Sequence, residues 1–190
     1  MRLVVFAKAP VIGGAKTRLA AGIGKVEAWR RHRAMTARIL RTVQDRRWET
    51  VLAAAPDRAK RRRFPGVWPD TLSRIAQGGG DLGARQARAF SRRGPTLVIG
   101  TDAPDVAAAD IAAGFAALKR HDAVIGPADD GGYWLIGLNA PAPRGLFEAV
   151  RWSTPDACAD VEANLRAAGL ARIARLKTLR DIDEASDLKA

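Results

Sequence analysis

Cysteine is almost absent from this chain of 190 residues, because Cys158 is the only one. A framework of disulfide bonds is therefore excluded, and a reducing compartment is expected. The two histidines, His32 and His121, lie far apart in the sequence, so a zinc site built from histidine and cysteine is excluded as well. Long apolar runs are also missing. The first, Leu3–Ala7, stops at Lys8 and is too short for a signal peptide or a membrane span. We expect a cytoplasmic protein with no membrane partner.

Acidic residues are outnumbered: 20 Asp and Glu stand against 32 Lys and Arg, which gives a formal net charge of +12. Many of the basic side chains are concentrated in two clusters, at 30–33 and 58–63. A basic surface is typical of nucleic-acid-binding proteins, but no aromatic residue interleaves with either cluster and no known nucleic-acid-binding motif is present. We interpret the clusters as solvated helix faces that attract anionic small molecules, and we expect no nucleic-acid partner.

Short apolar runs and helical periods alternate along the chain. The strongest strand signals lie at 2–7, 50–55, 96–100 and 123–126, and the run at 133–138 is expected to be the arm of a hairpin. Weaker strand signals lie at 67–69, 73–76 and 171–176. Helices are predicted at 26–43, 82–90, 110–118 and 155–168, and a helical turn is predicted to begin near Asp183. The alternation predicts one α/β domain over residues 1–190, with a mostly parallel sheet flanked by helices.

The loop after the first strand has the composition of an anion-binding loop. In an open α/β sheet, ligands bind outside the carboxyl ends of the strands, where this loop is expected to lie. Gly13 and Gly14 allow backbone amides to approach an anion, and Lys8, Lys16 and Arg18 add cations that suit phosphate. The spacing differs from that of a Walker A loop. The alternative is a flexible basic surface loop; we favour phosphate binding, and we expect the side chains of Lys16 and Arg18 to be exposed.

Asp102 follows the predicted core strand at 96–100 and is the strongest candidate metal ligand. Pro104 prevents the chain from turning straight into a helix, so Asp102 is held at the sheet edge near the phosphate loop. A carboxylate beside bound phosphates is best explained by a bridging Mg²⁺ or Mn²⁺. Asp105 and Asp110 lie near the start of the next helix, where acidic residues complement the helix dipole, and we interpret them as structural.

Two glycine-rich segments offer further candidates. Asp130 precedes Gly131, and this pair is either a common hairpin turn or a second carboxylate for the metal or the acceptor. Gln77 precedes three glycines, and its amide can both donate to and accept from a nucleobase edge. Asp81, after those glycines, is equally well explained as the N-cap of the following helix.

Six ordered motifs resemble the bacterial "transferase 1, radical-SAM/selenodomain-associated" family over almost the whole chain. They are Pro10-x-x-Gly13-x-x-Lys16-Thr17-Arg18-Leu19, Gly80-Asp81-Leu82-Gly83-x-Arg85, Gly100-Thr101-Asp102-x-Pro104-Asp105, Gly126-Pro127-Ala128-x-Asp130-Gly131-Gly132-Tyr133, Trp152-Ser153-Thr154 and Asp181-x-Asp183. The resemblance implies a glycosyltransferase A-type fold, that of nucleotide-diphospho-sugar transferases.

The chain is more distantly similar to 2-phospholactate guanylyltransferase and to the sugar-1-phosphate and molybdenum-cofactor nucleotidyltransferases. That similarity implies that Lys16 and Arg18 hold phosphates and that Asp102 binds Mg²⁺. It also implies that Gln77, with Leu82–Gly83, reads the nucleobase.

The expected function is a metal-dependent, glycosyltransferase-like transfer from a nucleotide sugar to a small-molecule acceptor, with Asp102 and Asp130 as catalytic residues. The alternative is a nucleotidyltransferase that transfers a nucleoside monophosphate from a nucleoside triphosphate to a phosphorylated small molecule. Both reactions need positive charge at the leaving phosphates. A non-catalytic nucleotide-binding protein is the third interpretation, and assembly as a homodimer is left open.

Overall fold

A seven-stranded sheet forms the centre of the computed structural model, which describes residues 1–188. The strands are β1 (Arg2–Lys8), β2 (Glu49–Ala55), β3 (Ser73–Ala76), β4 (Thr96–Ile99), β5 (Ala123–Pro127), β6 (Tyr133–Leu138) and β7 (Ile173–Arg175). Their order across the sheet is β3-β2-β1-β4-β6-β5-β7. The strands β1, β2 and β4 run parallel, with Val4 opposite both Val51 and Val98, as the sequence predicts.

The strand β6 is the exception to the parallel arrangement. It lies between β4 and β5 and is antiparallel to both, so β5 and β6 form the predicted hairpin. The strand predicted at 171–176 is confirmed as β7, which pairs in parallel with β5. The expectation of a mostly parallel sheet is confirmed.

Five helices of the described residues cover the two faces of the sheet. They are α1 (Thr17–Ile23), α2 (Lys25–Thr42), α3 (Leu82–Ala89), α4 (Ala108–Ala117) and α5 (Ala157–Ala167). Leu40 of α2 and Ile111 of α4 pack with Leu3 and Val5 on one face. Ala89 of α3 and Val161 of α5 belong to the apolar cluster on the other face, which includes Val4. Successive residues of β1 thus serve opposite cores, as the period of a strand requires.

The remaining segments include one correction. The extended segment predicted at 67–69 is wrong, because Val67 and Trp68 lie in a turn in which both backbone amides donate to the carbonyl of Phe64 at 3.0 Å. Burial of these two apolar side chains in a turn produces the same short apolar run as a strand does. Short 3-10 helices occupy Asp57–Arg61 and Ser186–Leu188.

The basic cluster at 58–63 is mostly exposed, as expected of a solvated surface, although Ala59 is buried. The cluster at 30–33 divides differently, since Arg30 and Arg31 are exposed whereas His32 is buried. Among the described residues, no helix combines the length and the apolar character needed to cross a membrane.

Candidate functional site

A cavity of about 540 Å³ opens at the edge of the sheet where β1 and β4 end. The candidate residues that line it are Lys8, Lys16, Arg18, Gln77, Leu82, Asp102 and Asp130. Gly13 and Gly83, which were also candidates, are not among the lining residues. The sheet topology therefore brings the first loop, the Asp102 loop and the β5–β6 turn to one place, although they are far apart in sequence.

Lys16 is the residue that joins the first loop to the Asp102 loop. It precedes α1 in the left-handed conformation, with φ at 55°. Its ammonium contacts the carboxylate of Asp102, lies 2.7 Å from Oδ1 of Asp183 and donates to the carbonyl of Ile182. The contact confirms that the two loops share one edge of the sheet. The expectation of an exposed side chain is wrong for Lys16, which is only 3% exposed, and holds for Arg18.

The charge state of Lys16 follows from two opposing effects. Burial lowers the pKa of its ammonium, but the carboxylates of Asp102 and Asp183 raise it by more, so the pKa lies above its ordinary value. Lys16 is therefore a permanent cation at neutral pH. A buried cation of this kind is tolerated only because it is paired.

Three carboxylates surround this cation on the cavity side. One ligand oxygen from each of Asp102, Asp181 and Asp183 lies within 4.8 Å of the other two. Carboxylate oxygens are the donors that Mg²⁺ and Mn²⁺ prefer. The donor set therefore fits a hard divalent cation, and the contact of Lys16 with two of the three carboxylates shows that positive charge is favoured there.

The charged form of Asp181 is disfavoured by its surroundings. Its pKa is raised to about 7, first because burial disfavours the charged form and then because Asp102 lies close by. The nearby ammonium of Lys16 opposes the shift but does not cancel it. Additional positive charge beside these carboxylates would therefore stabilise the charged form of Asp181.

Sequence reasoning assigned no role to Asp181 or Asp183. The motif Asp181-x-Asp183 belonged to the family resemblance, but nothing in the sequence placed it beside Asp102. The hydrogen bond from the amide of Ile182 to the carbonyl of Asp102, at 3.0 Å, fixes the two segments together. The signal available in the sequence was a pair of aspartates separated by a single residue.

The candidate nucleobase residues lie on the β3 side of the cavity. Gln77 is buried, and its side-chain Nε2 donates to the carbonyl of Ala53 at 2.9 Å, which fixes the orientation of the amide. Leu82 is an exposed apolar side chain at the start of α3. Asp81 caps that helix, because its Oδ1 accepts from the amide of Ala84 at 2.8 Å.

Gly83 serves packing in this structure. A Cβ at this position would lie 2.8 Å from Cβ of Phe147 and 3.3 Å from the ring of Trp152. The absence of a side chain at Gly83 therefore lets α3 approach the segment that contains these two aromatic residues.

Asp130 lies in the turn of the β5–β6 hairpin and also lines the cavity. Its Oδ1 accepts from the amide of Gly132 at 2.8 Å, which is the local bond of a tight turn. The two interpretations of this residue are thus compatible: the turn holds the carboxylate, and the carboxylate faces the cavity.

The positions of Asp105 and Asp110 agree with their interpretation as structural residues near the start of a helix. Oδ2 of Asp110 accepts from the amide of Ala107 at 2.9 Å, at the start of α4. Asp105 is exposed and lies 3.8 Å from Arg38. Neither residue lines the cavity.

His32 is a cavity residue that sequence reasoning missed. Its Nε2 lies 3.2 Å from the carbonyl of Lys8, at the end of β1. Burial lowers the pKa of His32, although the contact with that carbonyl raises it. The sequence placed this histidine in a run of arginines, where only the helical period of α2 could have separated its buried side chain from the exposed ones.

Residues 38–154 match a protein family described as "Uncharacterized protein conserved in bacteria (DUF2064)". The chain belongs to this family. No curated protein matches it. The more specific family suggested by the six motifs stays a prediction.

Solved structures share the fold over nearly the whole chain. A candidate nucleotide-diphospho-sugar transferase from Desulfovibrio desulfuricans G20 is 27% identical, with a TM-score of 0.87 over 98% of this chain and 84% of that chain. The 2-C-methyl-D-erythritol 4-phosphate cytidylyltransferase from Thermus thermophilus is 18% identical, with a TM-score of 0.56 over 97% and 94% of the two chains. Rv0371c from Mycobacterium tuberculosis H37Rv, in complex with manganese, is 16% identical, with a TM-score of 0.52 over 99% and 96%. The predicted fold of nucleotide-diphospho-sugar transferases is confirmed.

Proposed function

We propose that this protein is a metal-dependent glycosyltransferase-like enzyme, which transfers a sugar from a nucleotide sugar to a small-molecule acceptor. One observation carries the proposal: the ammonium of Lys16 lies among the carboxylates of Asp102, Asp181 and Asp183 at the edge of a large cavity. Its volume of about 540 Å³ is within the range of small-molecule sites. The likeness to the Desulfovibrio protein, a candidate nucleotide-diphospho-sugar transferase, supports the same donor class.

The cations of the cavity are our candidates for binding the donor phosphates. Lys8, at the end of β1, and Arg18, in α1, line the cavity together with Lys16. Asp102, Asp181 and Asp183 would hold Mg²⁺ or Mn²⁺, which when bound neutralises the negative charge that develops on the leaving diphosphate. Lys16 would contribute a second, fixed positive charge at that position.

The charge balance of the cavity favours a nucleotide sugar over a nucleoside triphosphate. Four basic and four acidic side chains line it, namely Lys8, Lys16, Arg18, Arg85, Asp102, Asp130, Asp181 and Asp183. One divalent cation therefore leaves an excess of about two positive charges, which balances the roughly two negative charges of a nucleotide-sugar diphosphate. A nucleoside triphosphate carries about four and would leave negative charge uncompensated.

Asp130 is our candidate for receiving the proton of the acceptor hydroxyl. Its carboxylate lines the cavity, and only Oδ1 is engaged by a hydrogen bond within residues 1–188. Oδ2 thus has room for a hydroxyl donor. A base must lie within hydrogen-bond reach of the proton that it takes, and the rigid turn keeps the carboxylate in one place.

Nucleotidyl transfer is the second candidate. The three cations Lys8, Lys16 and Arg18 favour it, because a triphosphate offers more phosphates for them to bind. The fold is also shared with a cytidylyltransferase.

The products of the reaction distinguish these functions. We would incubate the protein with nucleotide sugars and, separately, with nucleoside triphosphates, in Mn²⁺ and in excess chelator, and identify products by mass spectrometry. Metal-dependent release of a nucleoside diphosphate is the expected result. Release of pyrophosphate would replace the proposal with nucleotidyl transfer. Tight binding of both donor classes with no turnover for any acceptor would support the non-catalytic interpretation.

A further inference from the structure

The segment Trp152–Pro155 lines the cavity but has no part in the donor site described above. It lies against the turn of the β5–β6 hairpin. A Cβ at Gly131 would overlap the backbone of Pro155, and the amide of Cys158 donates to the carbonyl of Gly131 at 3.0 Å. The segment and the turn that carries Asp130 therefore form one continuous wall of the cavity, which we call the Trp152 wall.

Trp152 combines partial exposure with an indole N–H that has no partner among the described residues, and the other four tryptophans each lack at least one of these two properties. The indole N–H groups of Trp29, Trp48 and Trp134 donate to backbone carbonyls at 2.8, 3.0 and 3.1 Å. The indole N–H of Trp68 has no acceptor within residues 1–188 either, but this side chain is almost completely buried. Trp152 is half-buried and faces the cavity, and its N–H has no acceptor within residues 1–188. An indole with an apolar face and a free donor at a cavity surface is well suited to contact a ligand.

The ring of Trp152 is held in place by its neighbours. The rings of Tyr133 and Phe147 each lie with their centroids 6.4 Å from that of Trp152. The hydroxyl of Tyr133 is itself fixed, because it donates to Oε1 of Gln86 at 2.7 Å. Gly83 leaves the space that Trp152 and Phe147 fill. A preorganised aromatic face binds a ligand at a lower cost in side-chain entropy than a mobile one does.

Polar groups at the edge of this aromatic face suit hydroxyl groups of a ligand. Ser153 is exposed, its hydroxyl has no partner within the described residues, and its backbone adopts the left-handed conformation with φ at 61°. A non-glycine residue in this conformation is uncommon and is frequently found at functional sites. Asp130, in the adjoining turn, adds a carboxylate oxygen that accepts from hydroxyl donors.

The charges of the Trp152 wall disfavour a phosphorylated ligand. The basic residue next to the wall is Arg151, which does not line the cavity and whose guanidinium is bound to Asp156 and Asp160, both at 2.7 Å. Asp130 would repel an anion. Arg85 also lines the cavity, but it lies in α3 and is not part of the wall, and its Nε donates to the carbonyl of Gly80 at 3.0 Å. The wall thus presents a carboxylate, a hydroxyl and an indole N–H beside an apolar ring face.

We propose that the Trp152 wall is a subsite for an uncharged, hydroxylated ring of the sugar class, whose C–H face lies on Trp152 while its hydroxyls bond to Ser153 and Asp130. This inference rests on the proposed function, in which a sugar ring is present on the donor, on the acceptor or on both.

Saturation-transfer NMR with defined sugars tests the proposal. The probes are methyl β-D-glucopyranoside and methyl α-D-mannopyranoside, each compared with its 6-phosphate, on the wild-type protein and three variants. Trp152→Ala removes the ring, and Trp152→Phe keeps a ring but not the N–H. Ser153→Gly removes the hydroxyl at a backbone conformation that glycine adopts readily, so this variant should fold at least as well as the wild type. We expect saturation of the ring protons of the uncharged glycosides and a loss of affinity of about tenfold in Trp152→Ala. Smaller losses are expected in Trp152→Phe and Ser153→Gly.

Calorimetry with UDP, GDP, CDP and ADP, and with the sugar conjugate of each, distinguishes the two sources of the ring. If the ring belongs to the donor, Trp152→Phe weakens the conjugate and leaves the plain nucleotide unchanged. If the ring belongs to the acceptor, the nucleotide and its sugar conjugate bind to Trp152→Phe as tightly as to the wild type, and only the methyl glycosides bind less tightly. Preferred binding of the 6-phosphates, or binding of no glycoside, overturns the inference. Failure of every nucleotide to bind with Mn²⁺ contradicts the proposed function instead, because the glycoside measurements need no nucleotide.

Discussion

Two clusters in this protein have the same composition, one cation between two carboxylates, yet they differ in surroundings. Arg151 binds Asp156 and Asp160 with its side chain 58% exposed. Lys16 binds Asp102 and Asp183 with its side chain 3% exposed. Water screens the first cluster, so its interactions contribute little to the free energy of unfolding. The second is shielded from water on the lysine side and opens to the cavity on the carboxylate side.

The Lys16 cluster also contains a third carboxylate, that of Asp181, which has no counterpart beside Arg151 among the described residues. In the Arg151 cluster, hydrogen bonding to the guanidinium lowers the pKa of Asp160 to about 2, so its charged form is stabilised. In the Lys16 cluster, burial and Asp102 raise the pKa of Asp181 to about 7. Arg151 thus stabilises the charged form of Asp160, whereas the surroundings of Asp181 disfavour its charge and would favour a ligand cation beside it.

Replacing Asp102 should have the largest effect. Asp102→Asn keeps the shape of the side chain and removes the charge that a divalent cation needs, so we expect metal-dependent nucleotide binding to fall by about a hundredfold or more. Titration of nucleotide affinity with Mn²⁺ measures this. The matched control is Asp156→Asn, which removes a carboxylate from the Arg151 cluster and should respond to Mn²⁺ as the wild type does. Equal responses of Asp102→Asn and the wild type would refute the metal site.

Replacing Lys16 should weaken nucleotide binding and also lower stability. Lys16→Ala and Arg18→Ala should each lose about 1.5–3 kcal/mol of nucleotide binding per charged hydrogen bond, and less at high salt. Only Lys16→Ala should also lower the free energy of unfolding, because it leaves Asp102 and Asp183 without their buried partner. Calorimetry and urea unfolding separate the two effects. Unchanged nucleotide affinity in both variants would exclude the first loop from the donor site.

Divalent metal should stabilise the folded protein by binding to the three carboxylates of the Lys16 cluster. At about a hundredfold excess over its dissociation constant, Mn²⁺ should raise the midpoint of thermal unfolding by roughly 5–10 °C. The shift should vanish in excess chelator and be much smaller in Asp102→Asn. An identical shift in both proteins would place the bound metal elsewhere.

Much of the fold could be predicted from the sequence because the signals were local. The run at 96–100 is short, apolar and β-branched, and it forms β4. The helix α1 was missed because its sequence, 17–23, continues a basic, glycine-rich loop and is only seven residues long. The turn at 67–69 was misread because its apolar residues pack into the core without forming a strand.

The candidate site could be predicted only where one loop carried its own signal. Lys16 and Asp102 each follow a strand, so their common edge followed from the topology of a parallel sheet. Asp181 reaches the same place from a segment beyond β7, and no local rule sets that distance. The burial of Lys16 was missed for the same reason, since it depends on Asp183 and Ile182, more than 160 residues away.

The smallest effect concerns acid stability of the Arg151 cluster. The pKa of Asp160 is lowered to about 2 by the guanidinium of Arg151, whereas the unfolded chain would have an ordinary value near 3.8. The folded state therefore binds the proton less readily than the unfolded state does. The contribution is fully present above the unfolded pKa and is lost as the pH falls through about 2. Asp160→Asn should thus reduce stability slightly at neutral pH and converge with the wild type in strong acid. Urea unfolding at about pH 6 and about pH 2.5 measures the difference.

Because the amide of Arg151 also donates to Asp160 at 3.0 Å, the same variant loosens the segment before Trp152. A pH-independent difference between the two proteins would show that this pair acts through packing and not through charge.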